Sequence, residues 1–424
     1  MAHFTTNLPA VDSFFNTFRP HFSAKQFPLL QDSVLSLFQE YKRCSLQSMA
    51  QKIDCDYQQF QYFASDSKWD DIRSLNQTRL GLIERFRPTR PTKNGVSIID
   101  DTGCPKPYAK KTEGAKYQHC PPLHREEVCN VIVFSAYADS KKHFPIDFSP
   151  YRPQQKFPAG DADPEFKSKI QIAMEMIAHN ARNPLLPKLC VLDSWYTASG
   201  LIEYAVTLGV AVVGELKATR NIRLFRPDAQ RDEYVQQDEL VKLISAYYSH
   251  KVSYVQTRTA KGNLRKVPVY SFVTKLKDCK APVKIVVVLD ALFEDDTVKV
   301  RILFSTDIKA SAQKIVDQYS LRWGIERIFQ EIKENFSFDQ YQMRSLDHIR
   351  RFWFLCILAW SLVYRLKMMG AMRKVVRIDS ETFPEYVRAV RNLVDFAENR
   401  LLSKSDCPQR AFRILSNRIV RRAS

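Results

Sequence analysis

The sequence predicts an α/β fold in which a mixed sheet is flanked by helices, with an all-helical region before it and a helical region after it. Three patterns predict this. Apolar residues recur at helical spacing from about Val11 to Phe86, as in Leu29, Leu30, Val34, Leu37 and Phe38. Short apolar runs then alternate with helical stretches between Val96 and Gly214, the signature of an α/β domain. From about Ala218 to Thr306 the pattern changes to alternating β-branched and polar residues, a β-rich insertion, and helices resume at Ala310.

Within the first region, Leu46, Met49, Ala50 and Ile53 form one short amphipathic helix. Asp54 to Asp56 form a turn, and Tyr57, Phe60, Tyr62 and Phe63 a second helix. Two readings fit this span of 45–64: a helix-turn-helix that enters a DNA groove, or a helical hairpin that only packs on its neighbours. The second helix offers Gln58, Gln59 and Gln61 to a ligand but no Arg. The proline- and charge-rich stretch Arg85 to Asn94 reads as a linker. Strands are expected at Val96–Asp101, Val128–Ala136 and Phe144–Phe148, then a helix from about Pro164 to Asn180 and a buried strand at Leu189–Asp193. A helix over Ala198–Leu208 and a strand over Val210–Gly214 continue the alternation. The insertion supplies Val252–Thr259, Val267–Thr274, Val283–Leu289 and Val298–Phe304, with Lys261, Gly262 and Asn263 as a hairpin turn. Helices over Ala310–Asn335 and Leu346–Met368 precede a basic tail ending in Arg418, Arg421 and Arg422. The expected domains are therefore 1–90, 95–217, 218–306, 307–370 and 371–424.

Lys and Arg total 64 against 46 Asp and Glu, a formal charge of +18 that attracts a polyanion, nucleic acid first. The N-terminus lacks the charged start and apolar run of a signal peptide, so a cytoplasmic location is expected. The longest uncharged apolar run, Phe352 to Tyr364, has 13 residues, short of the roughly 20 a membrane-crossing helix needs. It reads as a buried helix, and no membrane partner is expected. Nine scattered cysteines, never spaced Cys-x-x-Cys, point to reduced thiols and against a zinc site.

Acidic residues stand at three informative places. Asp100 and Asp101 close the apolar run Val96–Ile99, and Asp193 closes Leu189–Leu192. Ligands of open α/β sheets bind beyond the carboxyl ends of parallel strands, and a carboxylate there needs a partner or a metal. The third is Glu326. If Ala310–Asn335 is one helix, Tyr319, Arg322, Glu326 and Lys333 fall within roughly 60° of one another on a single face.

These residues resemble the bacterial insertion-sequence transposases of the DDE class with the YREK signature. The match comprises Asp101 with Thr102, Asp193 after an apolar strand, and Tyr-x2-Arg-x3-Glu-x6-Lys at Tyr319, Arg322, Glu326 and Lys333. It is flanked by Ser305, Thr306 and Asp307 before, and by Tyr341, Gln342, Arg344 and Ser345 after. The resemblance spans about residues 40 to 370 and implies an RNase H-like catalytic core interrupted by the β insertion. It maps three catalytic, metal-binding acids onto Asp101, Asp193 and Glu326. Asp101 is preferred because it directly precedes Thr102, with Asp100 as the alternative, since strand alternation only tells that the two face opposite ways.

The chemistry agrees with this assignment. Cleaving a phosphodiester needs an activated nucleophile and charge relief on the leaving oxygen, which two Mg²⁺ ions about 3.5 to 4 Å apart supply. Mn²⁺ is an acceptable substitute, and hard cations take Asp and Glu oxygens. Tyr319, Arg322 and Lys333 are expected on DNA phosphates. Trp323 either stacks on a displaced base or belongs to the core. Lys106, Lys110, Lys111 and Lys116 are further candidates for backbone contacts. The expected partners are double-stranded DNA, as terminal inverted repeats and as target, and a second copy of the chain in the DNA complex.

The sequence departs from the family in two ways. The segment after Gly103 carries Pro105, Pro107, Pro121 and Pro122 in place of a glycine-rich pattern. The insertion has no Trp for a flipped base, leaving Tyr254, Tyr270 and Phe272 as its candidate aromatics. Competing readings are a catalytically inactive, domesticated DNA-binding relative and an RNase H-fold nuclease without strand transfer.

Overall fold

The computed structural model describes residues 9–39, 45–52, 55–154, 163–258, 263–292, 298–370 and 381–403. Ile53, Asp54, Lys261, Gly262 and the basic tail with Arg418, Arg421 and Arg422 lie outside the described residues.

Five helices come first: α1 (Pro9–Asn16), α2 (Gln26–Ser36), α3 (Leu46–Lys52), α4 (Tyr57–Ser65) and α5 (Ile72–Glu84). Strands β1 (Val96–Pro105), β2 (Lys116–Cys120), β3 (Arg125–Ala138) and β4 (His143–Tyr151) follow. Next come α6 (Lys169–Arg182), β5 (Leu189–Leu192), α7 (Ser199–Thr207) and β6 (Ala211–Glu215). The insertion holds β7 (Ile222–Arg226), β8 (Arg231–Val235), α8 (Gln237–Leu243), β9 (Ser253–Arg258), β10 (Leu264–Lys275), β11 (Pro282–Leu292) and β12 (Val298–Ser305). Four helices close the order: α9 (Ala312–Ser320), α10 (Trp323–Phe336), α11 (Leu346–Met368) and α12 (Phe383–Ser403). The fold is α/β, a large mixed sheet with flanking helices and helical terminal regions, consistent with an RNase H-like DDE fold.

The chain forms two compact units, one of residues 1–90, 103–131 and 327–424, the other of 91–102 and 132–326. In the first, α11 is the central helix. It is buried all round from Phe352 to Leu366 and packs on α1, α2, α4, α5 and α12. A helix apolar on every side must bury every side, so this one is a core element; none of the described helices is long and apolar enough to cross a membrane. Several of its polar groups are paired inside the core. Trp360 Nε1 donates to Glu331 at 2.7 Å, Tyr364 to the Thr89 carbonyl at 2.8 Å, and buried Arg79 to Ser361 at 3.2 Å. Arg351 donates to the carbonyls of Ala64, Ser65 and Ser67, closing the end of α4. α3 and α4 stand where the sequence puts them. Asp56 caps α4 by accepting from Gln59 N at 3.0 Å, Phe60 and Phe63 are buried, and Tyr57, Gln58, Gln61 and Tyr62 are exposed. The segment after Gly103 is more ordered than the prolines suggest: β2 pairs antiparallel with the start of β3, Lys116 opposite Cys129.

In the second unit the strand order is β3-β1-β5-β6-β12-β11-β10-β9, with β4 on β3. β1, β5 and β6 are parallel, the connection expected of βαβ units, and β12 to β9 extend the sheet as an antiparallel meander. The insertion thus continues the core sheet. Its β7–β8 hairpin and α8 are absent from the sequence reading, because their residues share the alternating polar pattern of the meander. At the outer strand, Gln256 N donates to Gln313 Oε1 at 2.7 Å and Gln313 Nε2 donates to Gln256 O at 2.8 Å.

α6 starts at Lys169 rather than near Pro164. Ser168 forms a capping box with Gln171, which satisfies the first free backbone N–H groups of the helix. Ser168→Ala is expected to cost about 1 kcal/mol, read by urea unfolding.

Two expectations are corrected. Asp100 and Asp101 do not end their strand: β1 runs on to Pro105, because β3, at 14 residues, offers a partner well past them, while parallel β5 stops at Leu192 opposite Ile99. Nor is Ala310–Asn335 one helix. α9 ends at Ser320 and α10 begins at Trp323, the link being closed by short i→i+3 bonds from Arg322 N to Tyr319 O and from Gly324 N to Leu321 O. Gly324 sits on the sheet so closely that a Cβ there would lie 2.6 Å from the Cβ of Ala138, and this approach re-aims the chain.

Candidate active site

Pairing register builds the site. Ile99 and Leu192 are partners in the parallel β1–β5 pair, so the next residues, Asp100 and Asp193, emerge side by side. Asp100 is 7% exposed and its Oδ2 accepts from Arg322 NH1 at 2.9 Å. The same NH1 donates to Glu326 Oε1 at 3.1 Å, so one guanidinium joins the first strand's acid to the acid of α10. Asp193 Oδ1 accepts from the backbone N–H groups of Trp195 and Tyr196, each at 3.1 Å, which fixes the loop after β5. Asp101 pairs with Lys169 Nζ at 2.5 Å, and its charge also acts on Asp100 and Asp193.

Burial pushes Asp100 well above the usual carboxylate range, helped by the charges of Asp193, Glu326 and Asp101 and opposed by Arg322. Asp193 is raised mainly by burial, against the two backbone donors and Arg322. Tyr196, fully buried, is raised by burial and by Asp101, Asp100 and Asp193. Burial works against the charge on Arg322, but Tyr319, Asp100 and Glu326 more than offset it.

The helix break separates the four signature residues. Tyr319, at the end of α9, is 7% exposed and donates to Glu215 Oε2 at 2.7 Å; Glu215, at the end of β6, also holds Arg301 bidentately at 3.1 and 2.7 Å. Burial, then Glu215, pushes the Tyr319 phenol up. Arg322 turns instead to the acids. Trp323 is 55% exposed, so it is no core residue, and the Arg322 guanidinium lies 5.6 Å from its ring centre. Lys333, seven residues on from Glu326 along α10, belongs to the first unit, where its Nζ donates to the Gly103 carbonyl at 3.1 Å. Of the lysines after Gly103, Lys106 is tied to the carbonyls of Asp339 and Tyr341 at 2.6 and 2.9 Å, whereas Lys110 and Lys111 are exposed.

Sequence reasoning missed several neighbours of the acids. Lys169 sits in the first turn of a helix and looked like any solvated cation. Trp195 and Tyr196 stand two and three residues after Asp193, and that closeness in sequence was the available signal. Glu215 and Arg301 are brought together by β6–β12 pairing, a long-range fact.

Among the described residues, no three His, Cys, Asp or Glu side chains converge closely enough to hold an ion. The chemistry of Asp100, Asp193 and Glu326 nonetheless fits a hard divalent cation: all three are oxygen donors, and the charges of Asp193 and Glu326 raise Asp100 against the opposing charge of Arg322.

The family model described as "DDE superfamily endonuclease" matches residues 17–241, the span that holds Asp100, Asp101 and Asp193. The model described as "Transposase DDE domain" matches residues 167–362, which hold Asp193, Tyr319, Arg322, Glu326 and Lys333. No curated protein matches the chain. With more than half of its length matched by the first model, and a transposase DDE domain overlapping it, the chain belongs to the DDE superfamily of endonucleases.

Proposed function

We propose that this chain is an insertion-sequence transposase that binds the terminal inverted repeats of its element, cleaves DNA at the element ends and transfers the 3′-OH ends into target DNA. One observation carries the reading: Arg322 bridges Asp100 to Glu326 while Asp193 stands beside Asp100, so the three acids share one charge environment. We assign the metal-holding set to Asp100, Asp193 and Glu326. Asp101, preferred from the sequence alone, is given the task of holding Lys169. Two Mg²⁺ ions, or Mn²⁺, held by these carboxylates would supply the charge relief on entering and leaving oxygens that phosphodiester cleavage requires.

The protein's own groups do the rest. Arg322 and Lys333 contact phosphates near the cleavage point, as cations that make charge-assisted hydrogen bonds. Tyr319, turned to Glu215, acts through the position of α9 and Arg322. Trp323, exposed beside Arg322, stacks on a displaced base. In the helical region, α4 presents Tyr57, Gln58, Gln61 and Tyr62 outward, which supports base reading by α4 after α3. The charge of +18 favours this polyanionic partner, and we infer a homodimer on paired ends.

Purified protein with Mg²⁺ and a duplex carrying its own element's end is expected to nick the end and join it to a target plasmid, with Glu326→Gln losing both. Cleavage without joining would instead identify a nuclease, and binding without cleavage an inactive relative.

A further inference from the structure

Lys169 is an unusual residue to find at the first position of α6. The amino end of a helix carries a partial positive charge, so a cation there is opposed by the helix itself. It is nonetheless held: its side chain is 14% exposed, its ammonium pairs with Asp101, and it lies 4.9 Å from the ring centre of Trp195 and 5.6 Å from that of Tyr151. Trp195 is equally out of the ordinary. It follows Asp193 by two residues, its backbone is pinned by the Asp193 carboxylate, and Tyr196 meets its ring edge-on at 4.9 Å, yet 44% of it faces solvent. A rigid, exposed indole next to a rigid cation is the combination that grips one nucleotide, the base on the ring and the phosphate on the ammonium.

We propose that Lys169 and Trp195 form a subsite for a single unpaired nucleotide of a DNA strand, alongside the acid cluster, with Asp101 holding the ammonium in place. The subsite deepens the proposed DNA-processing activity and rests on it for the identity of the substrate, but its binding is independent of cleavage.

The test uses full-length protein in EDTA and a short oligothymidine strand. The chain has five tryptophans, of which Trp69, Trp353 and Trp360 are buried, so in Trp323→Phe protein the strand reports on Trp195 through quenching of its fluorescence. We expect quenching in that background, its loss on adding Trp195→Phe, and an affinity about tenfold weaker in Trp195→Ala. Lys169→Ala should reduce the slope of log affinity against log salt by about 0.7, one phosphate contact, and Lys169→Arg should restore it. Asp101→Asn, which frees the ammonium, should tighten binding and steepen the salt slope in Lys169 protein, and should leave the slope unchanged in Lys169→Ala protein. Unaltered quenching and affinity in the Trp195 variants, with an unchanged salt slope in Lys169→Ala, would overturn the subsite. Lys169→Arg and Trp195→Phe keep the test open should Lys169→Ala fail to fold. A protein that cleaves with Mg²⁺ while its Trp195 variants bind normally refutes the subsite alone; one that shows the quenching but never cleaves refutes the proposed activity alone.

Discussion

Asp100→Asn is expected to reduce divalent-cation-dependent DNA cleavage on the order of 10³-fold or more, and Asp101→Asn far less, when single-turnover nicking of an end-bearing duplex is compared. The reason is placement. Asp100 shares a guanidinium with Glu326 and follows the residue paired with Leu192, next to Asp193, while Asp101 is committed to Lys169. A pH signature accompanies it. Asp100 and Asp193 both bind their protons more tightly folded than unfolded. A carboxyl raised in this way contributes stability below the ordinary carboxylate range and loses it as pH climbs from there through the raised folded value. A cation that replaces the proton should therefore raise the melting temperature more at pH 8 than at pH 6, and the difference should shrink in Asp100→Asn. Equal gains at both pH values in the unsubstituted protein would argue against Asp100 and Asp193 as ligands.

Gly324→Ala is expected to cost about 10²-fold in cleavage while leaving a folded protein. A Cβ at Gly324 would stand 2.6 Å from Ala138 Cβ, and a Cβ cannot swing away as a flexible side-chain end would. The start of α10 must then lift from the sheet, carrying Arg322 and Glu326 off Asp100. A displacement near 1 Å at a reacting centre is worth about two orders of magnitude in rate. Circular dichroism and a melting curve check the fold, and Mn²⁺ titration checks the acids; an Ala variant with full activity would show that α10 has room to spare.

How much of this was legible in the sequence follows from which contacts are local. The paired helices at 46–52 and 57–65, the strands before Asp100 and Asp193, and the change of period at the insertion are local patterns, and they were readable. The different partners of Asp100 and Asp101 were not, because Arg322 and Lys169 both come from distant parts of the chain. The separation of Tyr319 from Arg322 was equally hidden: Leu321 and Arg322 favour helix, and the close approach of Gly324 to Ala138 is a long-range contact. Lys169 and Trp195 were legible as residues but not as neighbours.

The amide of Gln313 has a consequence for how such a sheet can be built at all. A meander grown outward from a core ends in a row of unpaired backbone groups, which in a crowded cell is adhesive and invites another chain to add itself. By offering one acceptor and one donor to Gln256, a single glutamine from α9 imitates the next strand and stops the series. The insertion is in that sense self-terminating, its outer strand met by the helix that leads into α10.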